Sequence, residues 1–161
     1  MAPRQSTSRA RRYWLLKSEP SSYSWDNLVR DKTTYWDGVR NYQARNYLRD
    51  ELRVGDGVLF YHSNIEPIAI VGVAEVVKKG YPDHTAWDAK NIHYDPKSSP
   101  DNPIWYMVDI KPIEKFARPV TLDEIKRTPE LANMMLITRG RLSVQPVTQK
   151  EWDTICKMGR K

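Results

Sequence analysis

Four segments rich in β-branched and aromatic residues lie at irregular intervals along this chain, and they constrain its fold more than any other feature. Each has the composition and length of a β-strand: Tyr13–Lys17, Val58–His62, Ile68–Val77 and Ile104–Ile110. Only short helical patterns lie between them. The irregular spacing argues against regular βαβ alternation and favours a small, mixed β-barrel of the α+β class.

The helical patterns are predicted from their first residues. Ser24 is a candidate N-cap for a short helix over Ser24–Arg30. Thr121-Leu-Asp-Glu124 and Thr148-Gln-Lys-Glu151 both have the capping-box spacing and predict two later helices. Gly80–Pro103 holds four prolines and many polar residues, so we predict a long irregular loop there, of a length that is often functional.

A further helix is predicted over residues 41–52, because two sets of residues recur there at intervals of four. The apolar set predicts a buried face: Ala44, Leu48 and Leu52. The basic set predicts a second face: Arg45, Arg49 and Arg53. Two interpretations of the basic face stay open. It is either an ordinary solvated surface or a line of phosphate contacts.

Composition limits the possible partners and domain boundaries. The net charge of +6 and the pI near 9.4 favour an anionic partner such as nucleic acid. Residues 1–12 are basic and lack periodicity, so we expect a disordered tail followed by one domain over residues 13–159. A single cysteine excludes an internal disulfide, and no apolar run approaches the roughly 20 residues of a membrane span.

The segment from Trp36 to Arg49 combines aromatic rings, side-chain amides and arginines, with few simple aliphatic residues. Rings stack on nucleobases, amides form paired hydrogen bonds with base edges, and guanidinium groups bind phosphates. Polar residues also close the apolar run at Phe60-Tyr-His-Ser-Asn64 and flank the alternation in Arg139-Gly-Arg-Leu-Ser-Val-Gln-Pro146. These three segments together predict a surface that holds a nucleotide.

The same segments, with Tyr13-Trp-Leu-Leu-Lys-Ser-Glu-Pro20, resemble the EVE domain family of the PUA-like superfamily. Further matches are Val54-Gly-Asp56, Tyr81-Pro-Asp-His-Thr-Ala-Trp-Asp88 and Glu151-Trp152. The resemblance extends from about Arg12 to about Met158. It implies a PUA-like open β-barrel flanked by short helices, and it implies a module that reads a modified base in nucleic acid, with a modified cytosine in DNA favoured.

We therefore expect the matching segments to converge on one concave, polar and electropositive site without a cofactor, a metal or a catalytic residue. The candidate ligand-binding residues are Lys17, Ser18, Trp36, Val39, Arg40, Asn41, Tyr42, Arg45, Tyr61, His62, Ser63, Arg141, Ser143 and Gln145. The expected partner is nucleic acid that carries a modified base, with no membrane contact, and no protein partner can be inferred.

Three alternatives stay open at this point. The first is an RNA-binding module of the PUA type. The second is an amidohydrolase that acts on a modified nucleoside and uses Lys17, Ser18, Glu19 and Glu75, although the sequence lacks the common hydrolase and nucleotide-binding motifs. The third is a core role for Trp36. The expected compartment is the cytoplasm in a bacterium or the nucleus in a eukaryote.

Overall fold

The structure is a computed structural model, and it describes residues 10–161. These residues contain six strands: β1 (Tyr13–Ser18), β2 (Thr34–Tyr35), β3 (Gly57–His62), β4 (Ala69–Pro82), β5 (Tyr106–Thr121) and β6 (Val144–Val147). They form one mixed sheet in the order β2-β5-β4-β3-β1-β6, with β1 and β3 parallel and the other neighbours antiparallel. The predicted α+β class is confirmed, and the predicted open β-barrel takes the form of a sheet that does not close, because β2 and β6 end it without pairing to each other.

The two longest strands are longer than the sequence predicted. β4 runs on through Lys78, Lys79 and Gly80, and β5 continues past Pro112. Their pairing shifts register at several points, which bends the ribbon and lets it coil without closing. The predicted loop over Gly80–Pro103 is therefore wrong at its start, since Gly80–Pro82 belong to β4 and pair with β5.

Short helices cover the sheet. They are α1 (Trp25–Asp31), α2 (Tyr42–Asn46), α3 (Leu122–Lys126), α4 (Met135–Thr138) and α5 (Gln149–Gly159), with 3₁₀ turns over His84–Trp87 and Pro129–Leu131. The predicted caps are confirmed: the hydroxyls of Ser24, Thr121 and Thr148 each accept a backbone N–H of the first helical turn.

The predicted helix over residues 41–52 divides into α2 and a wider π-helical turn, Tyr47–Glu51. Ala44, Leu48 and Leu52 are buried, as the four-residue spacing predicted. Gly80 of β4 packs directly against this turn, because a Cβ there would lie 2.2 Å from the Leu48 carbonyl oxygen. The bare backbone of Gly80 therefore lets the helical segment approach the sheet.

Alternate residues of the central strands point to two separate cores. Trp14, Leu16 and Phe60 pack with α1, α2 and Trp36 on one face of the sheet. Leu15 and Leu59 pack with α3 and α5 on the other face. Both faces of the central strands are thus covered, and ligand access is left to the strand ends.

The predicted disordered tail falls mainly on residues 1–9, which lie outside the described residues. Arg12 already belongs to the folded part, because its N–H donates to the Asp56 carboxylate at 3.2 Å and its carbonyl accepts the Gly57 N–H at 3.0 Å. Arg11 lies over the rings of Tyr13 and Trp152. Among residues 10–161, no helix is both long and apolar enough to cross a membrane.

Candidate functional site

A cavity of about 670 Å³ opens at the carboxyl end of β1, and we call it the β1 cavity. Its walls come from the end of β1, the turn before α1, β2 with the segment that follows it, and the loop that carries His93. Parallel pairing of β1 with β3 places their polar carboxyl ends side by side, with Lys17 opposite Tyr61 and Ser18 opposite His62. The cavity therefore begins where polar residues replace apolar ones at the ends of the two buried strands.

The apolar wall is formed by Trp36 and Val39, which are 8% and 7% exposed. The Trp36 ring meets Phe60 edge to face at 5.4 Å and Tyr23 at 6.4 Å between ring centroids. Trp36 is thus both a core residue and part of the cavity wall. Tyr35 also lines the cavity and is 45% exposed, so it presents the more accessible aromatic surface.

The turn that follows Trp36 is held by the fully buried carboxylate of Asp83. Its Oδ2 accepts the Gly38 N–H at 2.8 Å and the Arg40 guanidinium at 3.0 Å, while its Oδ1 accepts the backbone N–H of Thr85 at 2.9 Å. Burial works to raise the pKa of Asp83, but hydrogen bonds from its partners outweigh burial and hold that pKa below its usual range. Asp83 therefore stays ionised and positions the wall of the cavity.

Gly38 and His93 are in close contact on the same wall. Gly38 has a φ of +79°, a conformation that favours glycine, and a Cβ there would lie 2.5 Å from the His93 ring. The His93 carbonyl accepts two N–H groups of Arg40, at 2.6 and 3.2 Å. His93 was not among the site residues predicted from the sequence. Its place in the cavity wall depends on contacts with residues more than fifty positions earlier in the chain.

Asp37 is the half-buried carboxyl group of the cavity. Burial and, secondarily, the negative charge of Asp83 raise its pKa, whereas the nearby His93 works to lower it. Asp37 offers the cavity a hydrogen-bonding group whose ionised form is poorly solvated. Asp37 lies next to Trp36 in the segment that the sequence predicted to hold a nucleotide. It was nevertheless not among the predicted site residues.

Lys17 and Ser18 are fixed by backbone contacts with the neighbouring loops. The Lys17 N–H donates to the Ser143 carbonyl at 3.0 Å, and the Lys17 amine donates to the Gly140 carbonyl. Burial lowers the pKa of the Lys17 amine. The Ser18 carbonyl accepts the Ser63 N–H at 2.9 Å, which joins the ends of β1 and β3.

The prediction that this site is electropositive is wrong for the β1 cavity. Its charged lining comprises two cations and three carboxyl groups: Lys17, Arg40, Glu19, Asp31 and Asp37. One of the cations is already paired, since Arg40 binds Asp83. One of the carboxylates is paired as well, since Asp31 binds Arg30 at 2.8 Å. The cavity is therefore polar without a positive excess, which suits a neutral ligand with donor groups better than a bare anion.

Six of the fourteen predicted site residues line the β1 cavity: Lys17, Ser18, Trp36, Val39, Arg40 and Ser143. Three of the four segments predicted to converge therefore meet here, at β1, after β2 and before β6, whereas the segment Tyr61–Ser63 does not line the cavity. The ligand-binding role of these residues stays a prediction.

The other predicted site residues of the Trp36–Arg49 segment lie outside the cavity lining. Asn41 caps α2 by accepting the Ala44 N–H at 2.9 Å. Tyr42 is 59% exposed and its ring contacts Trp105 at 5.0 Å. Arg45 lies over the Tyr42 ring and donates to the Ile104 carbonyl at 2.7 Å. These contacts stabilise α2 and its neighbouring loop.

The predicted residues of β3 also serve the fold. Tyr61 is 4% exposed and belongs to the core on the opposite face of the sheet, where burial raises its pKa to about 12. His62 accepts the Trp25 N–H at 3.1 Å through Nε2, and burial lowers its pKa. Ser63 lies beside Ser18 but is not in the lining. Side chains of β3 alternate between the two faces of the sheet, so Tyr61 lies on the face opposite Trp36.

The last two predicted residues also lie outside the lining. Arg141 is exposed. Gln145 is fully buried, and its amide donates to the carbonyls of Arg139 and Leu142 at 3.0 and 2.9 Å. Gln145 thus folds the loop that brings Ser143 to the cavity.

A second concavity of about 810 Å³ lies at the other end of β1, and we call it the basic groove. Four cations line it: Arg11, Arg49, Arg53 and Lys79. Arg49 is paired with Asp50 at 2.8 Å, and the groove's Asp56 accepts the indole N–H of Trp14 and the Arg53 N–H. The groove therefore has a net positive lining, unlike the β1 cavity.

Metal ligation has no support in the part of the chain that the structure describes, since residues 10–161 contain no group of three or more His, Cys, Asp or Glu side chains placed to share an ion. Cys156 is buried in the second core, where burial raises its pKa to about 11. It is a core residue, as the sequence predicted.

Comparison with known proteins now decides the family, because the EVE domain model matches residues 12–158. The chain belongs to the EVE domain family. This confirms the resemblance found in the sequence, and with it the PUA-like form of the open sheet.

Two solved structures and one sequence relative illustrate the similarity. Human thymocyte nuclear protein 1 is 43% identical over 92% of this chain and 74% of its own length. A hypothetical protein from Leishmania major is 47% identical, with a TM-score of 0.90 over 93% of this chain and 95% of that chain. Human THYN1 protein in complex with 5-methylcytosine-containing DNA is 42% identical, with a TM-score of 0.88 over 93% and 98%.

Proposed function

We propose that this EVE domain protein is a non-enzymatic module that binds a modified base, with a modified cytosine in DNA as the ligand. The observation that carries the proposal is the 42% identity to human THYN1 protein, which was crystallised with 5-methylcytosine-containing DNA. The polar β1 cavity with its aromatic wall offers a place for the base. The cavity volume of about 670 Å³ is ample for a single nucleobase.

The wall chemistry fits a base that has left the helical stack. Extrusion costs a few kcal/mol, which stacking and edge hydrogen bonds then recover. Tyr35 and Trp36 provide aromatic surface, and Val39 provides an apolar contact for a substituent on the base. Burial of one methyl group is worth roughly 0.8 kcal/mol, so preference for methylated over unmodified cytosine is expected to be modest.

Asp37 supplies the group that distinguishes cytosine from thymine. Cytosine carries an N4 amino donor where thymine carries an O4 acceptor, and a carboxylate accepts from the first and repels the second. Both bases carry the same C5 methyl group once cytosine is methylated, so apolar contact alone cannot separate them. Asp37 lines the cavity within one residue of Trp36, and this places an acceptor beside the apolar wall.

The proposal of binding without turnover rests on where the alternative catalytic residues lie. The Lys17 amine is held by the Gly140 carbonyl. Glu75 does not line the β1 cavity and lies 3.9 Å from the Lys111 amine on a neighbouring strand. Of the two carboxylates that the amidohydrolase alternative names, Glu75 is therefore remote from Lys17, whereas Glu19 lines the cavity with Lys17 and Ser18.

The test is a binding panel of matched duplexes that differ at one base: cytosine, 5-methylcytosine, 5-hydroxymethylcytosine or thymine. An RNA with 5-methylcytosine completes the panel. We expect tightest binding to a modified cytosine in DNA and weaker binding to thymine at the same position. Equal affinity for all the duplexes would reject the proposal, and preference for the RNA would favour the PUA-type RNA module instead. Chromatography of the recovered oligonucleotides checks for turnover.

The variant Asp37→Asn tests the cytosine assignment within the same panel. Its amide can turn to offer either a C=O acceptor or an NH₂ donor. We therefore expect the preference for 5-methylcytosine over thymine to shrink by roughly ten-fold, since one good base-edge contact is worth about 1–3 kcal/mol of discrimination. Asp101→Asn, at an exposed loop position, is the matched control and should leave the preference unchanged.

A further inference from the structure

The loop that forms one wall of the β1 cavity presents an unusually exposed apolar side chain. Ile92 is 92% exposed, more than any other large apolar residue in residues 10–161. Its neighbour His93 lines the cavity. A single exposed isoleucine is not unusual on a protein surface. What distinguishes Ile92 is that it directly precedes a residue that lines the cavity.

The backbone that carries Ile92 is held from both sides. Before it, the Asp88 carboxylate accepts the Lys90 N–H at 2.9 Å. After it, the Asn91 side chain accepts the His93 N–H at 2.8 Å, and the Asn91 carbonyl accepts the Tyr94 N–H at 3.0 Å. These contacts define two successive tight turns, so Ile92 stands on a fixed turn.

The same loop is tied to the cavity wall and to the core. The His93 carbonyl accepts Arg40, and the His93 ring lies against Gly38. Asp95 accepts the indole N–H of Trp105 at 2.6 Å, and its own N–H donates to the Ala86 carbonyl at 2.9 Å. The loop that carries Ile92 is therefore anchored on both the cavity wall and the core.

We propose that Ile92 is a wedge that enters the base stack of duplex DNA and fills the gap left by the base held in the β1 cavity. The proposal rests on the function proposed above, and it names how the duplex is opened. Apolar side chains such as isoleucine are suited to this role because they unstack base steps without needing hydrogen-bond partners. The exposed side chains of Lys90 and Lys97 on the same loop give the wedge positive neighbours for the flanking phosphates.

The effect of a wedge on affinity differs from that of a general DNA contact. A wedge should help only when the base must be taken out of a duplex, because a single strand offers no intact stack to open. The test compares a duplex that carries one 5-methylcytosine with the same modified strand alone. The variants are Ile92→Ala, the conservative Ile92→Leu, and Ile113→Ala, which removes an exposed isoleucine from β5.

We expect Ile92→Ala to weaken duplex binding roughly ten-fold, because the wedge offsets part of an unstacking cost of a few kcal/mol. Binding of the single strand should stay within about two-fold. Ile92→Leu should retain most of the duplex affinity, and Ile113→Ala should match the unmodified protein. A second readout is the fluorescence of 2-aminopurine placed beside the modified cytosine, which rises when the stack opens and should rise less with Ile92→Ala.

Equal losses for duplex and single strand would overturn the wedge and make Ile92 an ordinary contact. The wedge would also be overturned if Ile92→Ala changed neither the affinity for duplex and single strand nor the fluorescence response. Ile92 would then be an exposed residue available to another partner. In both cases the unmodified protein would still bind the modified strand, so the proposed function would stand. If the unmodified protein binds neither form, the proposed function fails and the wedge fails with it.

Discussion

Arg40 and Asp83 form an ion pair of 3.0 Å beneath the wall of the β1 cavity, with the Asp83 side chain fully buried and the Arg40 side chain 24% exposed. The same Asp83 oxygen accepts the Gly38 N–H at 2.8 Å. One carboxylate therefore holds both the charge of Arg40 and the turn that follows Trp36. The arrangement makes the shape of the cavity depend on a residue that does not line it.

Removal of this carboxylate should destabilise the whole protein. Asp83→Ala leaves the Gly38 and Thr85 N–H groups without their acceptor and leaves Arg40 partly buried without its partner. Loss of one member of a buried pair costs about 3–5 kcal/mol in free energy of unfolding. Urea denaturation measures the loss. Asp101→Ala, in an exposed loop, should change the unfolding free energy by less than about 0.5 kcal/mol, and a similar small change for Asp83→Ala would contradict this account.

Asp37 should make stability depend on pH in the opposite direction from Asp83. The pKa of Asp37 is raised in the folded chain, so folding favours its neutral form. The neutral form's contribution to the free energy of unfolding is complete below the unfolded carboxyl pKa of about 3.9. It is lost as pH rises through the raised pKa of the folded state. Asp37→Asn stays neutral at every pH. We therefore expect it to be more stable than the unmodified protein at neutral pH, with the difference vanishing towards about pH 4.

Urea midpoints at neutral and acidic pH measure this effect. The comparison uses the difference between variant and unmodified protein at each pH, since other carboxyl groups titrate in both. A stability difference that is equal at the two pH values would mean that ionised Asp37 is not disfavoured by its surroundings.

Substitutions of Trp36 and Tyr35 should distinguish a residue that stabilises the core from one that contacts the ligand. Trp36 packs against Phe60 and Tyr23, so Trp36→Ala should cost about 3–5 kcal/mol of unfolding free energy. Tyr35 is far more exposed, and Tyr35→Ala should weaken binding of an extruded base by about 1–3 kcal/mol while stability changes little. Trp36→Phe keeps an aromatic ring and allows binding to be measured on folded protein. Normal base binding by Tyr35→Ala would leave Trp36 as the aromatic wall.

The basic groove should determine how binding depends on salt. Arg53 and Lys79 are exposed and line this groove, and each is expected to neutralise one phosphate. The double variant Arg53→Ala, Lys79→Ala should flatten the slope of log K against log salt by about 1.8, at about 0.9 per contact. The loss should be equal for modified and unmodified duplexes, because phosphate contacts carry no base identity.

Lys157→Ala is the matched control for this measurement. Lys157 is exposed on α5, which packs on the face of the sheet opposite α2. Its removal should leave the slope unchanged. If Lys157→Ala flattens the slope by about 0.9, half the effect of the double variant, net charge rather than the groove sets the salt dependence.

Local features of the fold were predictable because they depend on residues close in sequence. The capping boxes at Thr121 and Thr148 need only a hydroxyl and a carboxylate three residues apart, and both formed. The buried face of α2 and the π-helical turn that follows it was predictable from apolar residues four positions apart. The end of β4 was not predictable: the predicted strand stopped at Val77 and the predicted loop began at Gly80, whereas pairing with β5 holds the chain in the sheet as far as Pro82.

The sequence by itself determined the family, four of the six described strands, and three of the segments that meet at the β1 cavity. It could not decide which side chains in those segments face the cavity. Tyr61 was excluded by the alternation of β3 between two cores, and Gln145 by hydrogen bonds that fold its own loop. His93 was brought in by contacts with Gly38 and Arg40 across the long loop. Side-chain direction at a strand end depends on which neighbours pack against it, and only the tertiary structure supplies those neighbours.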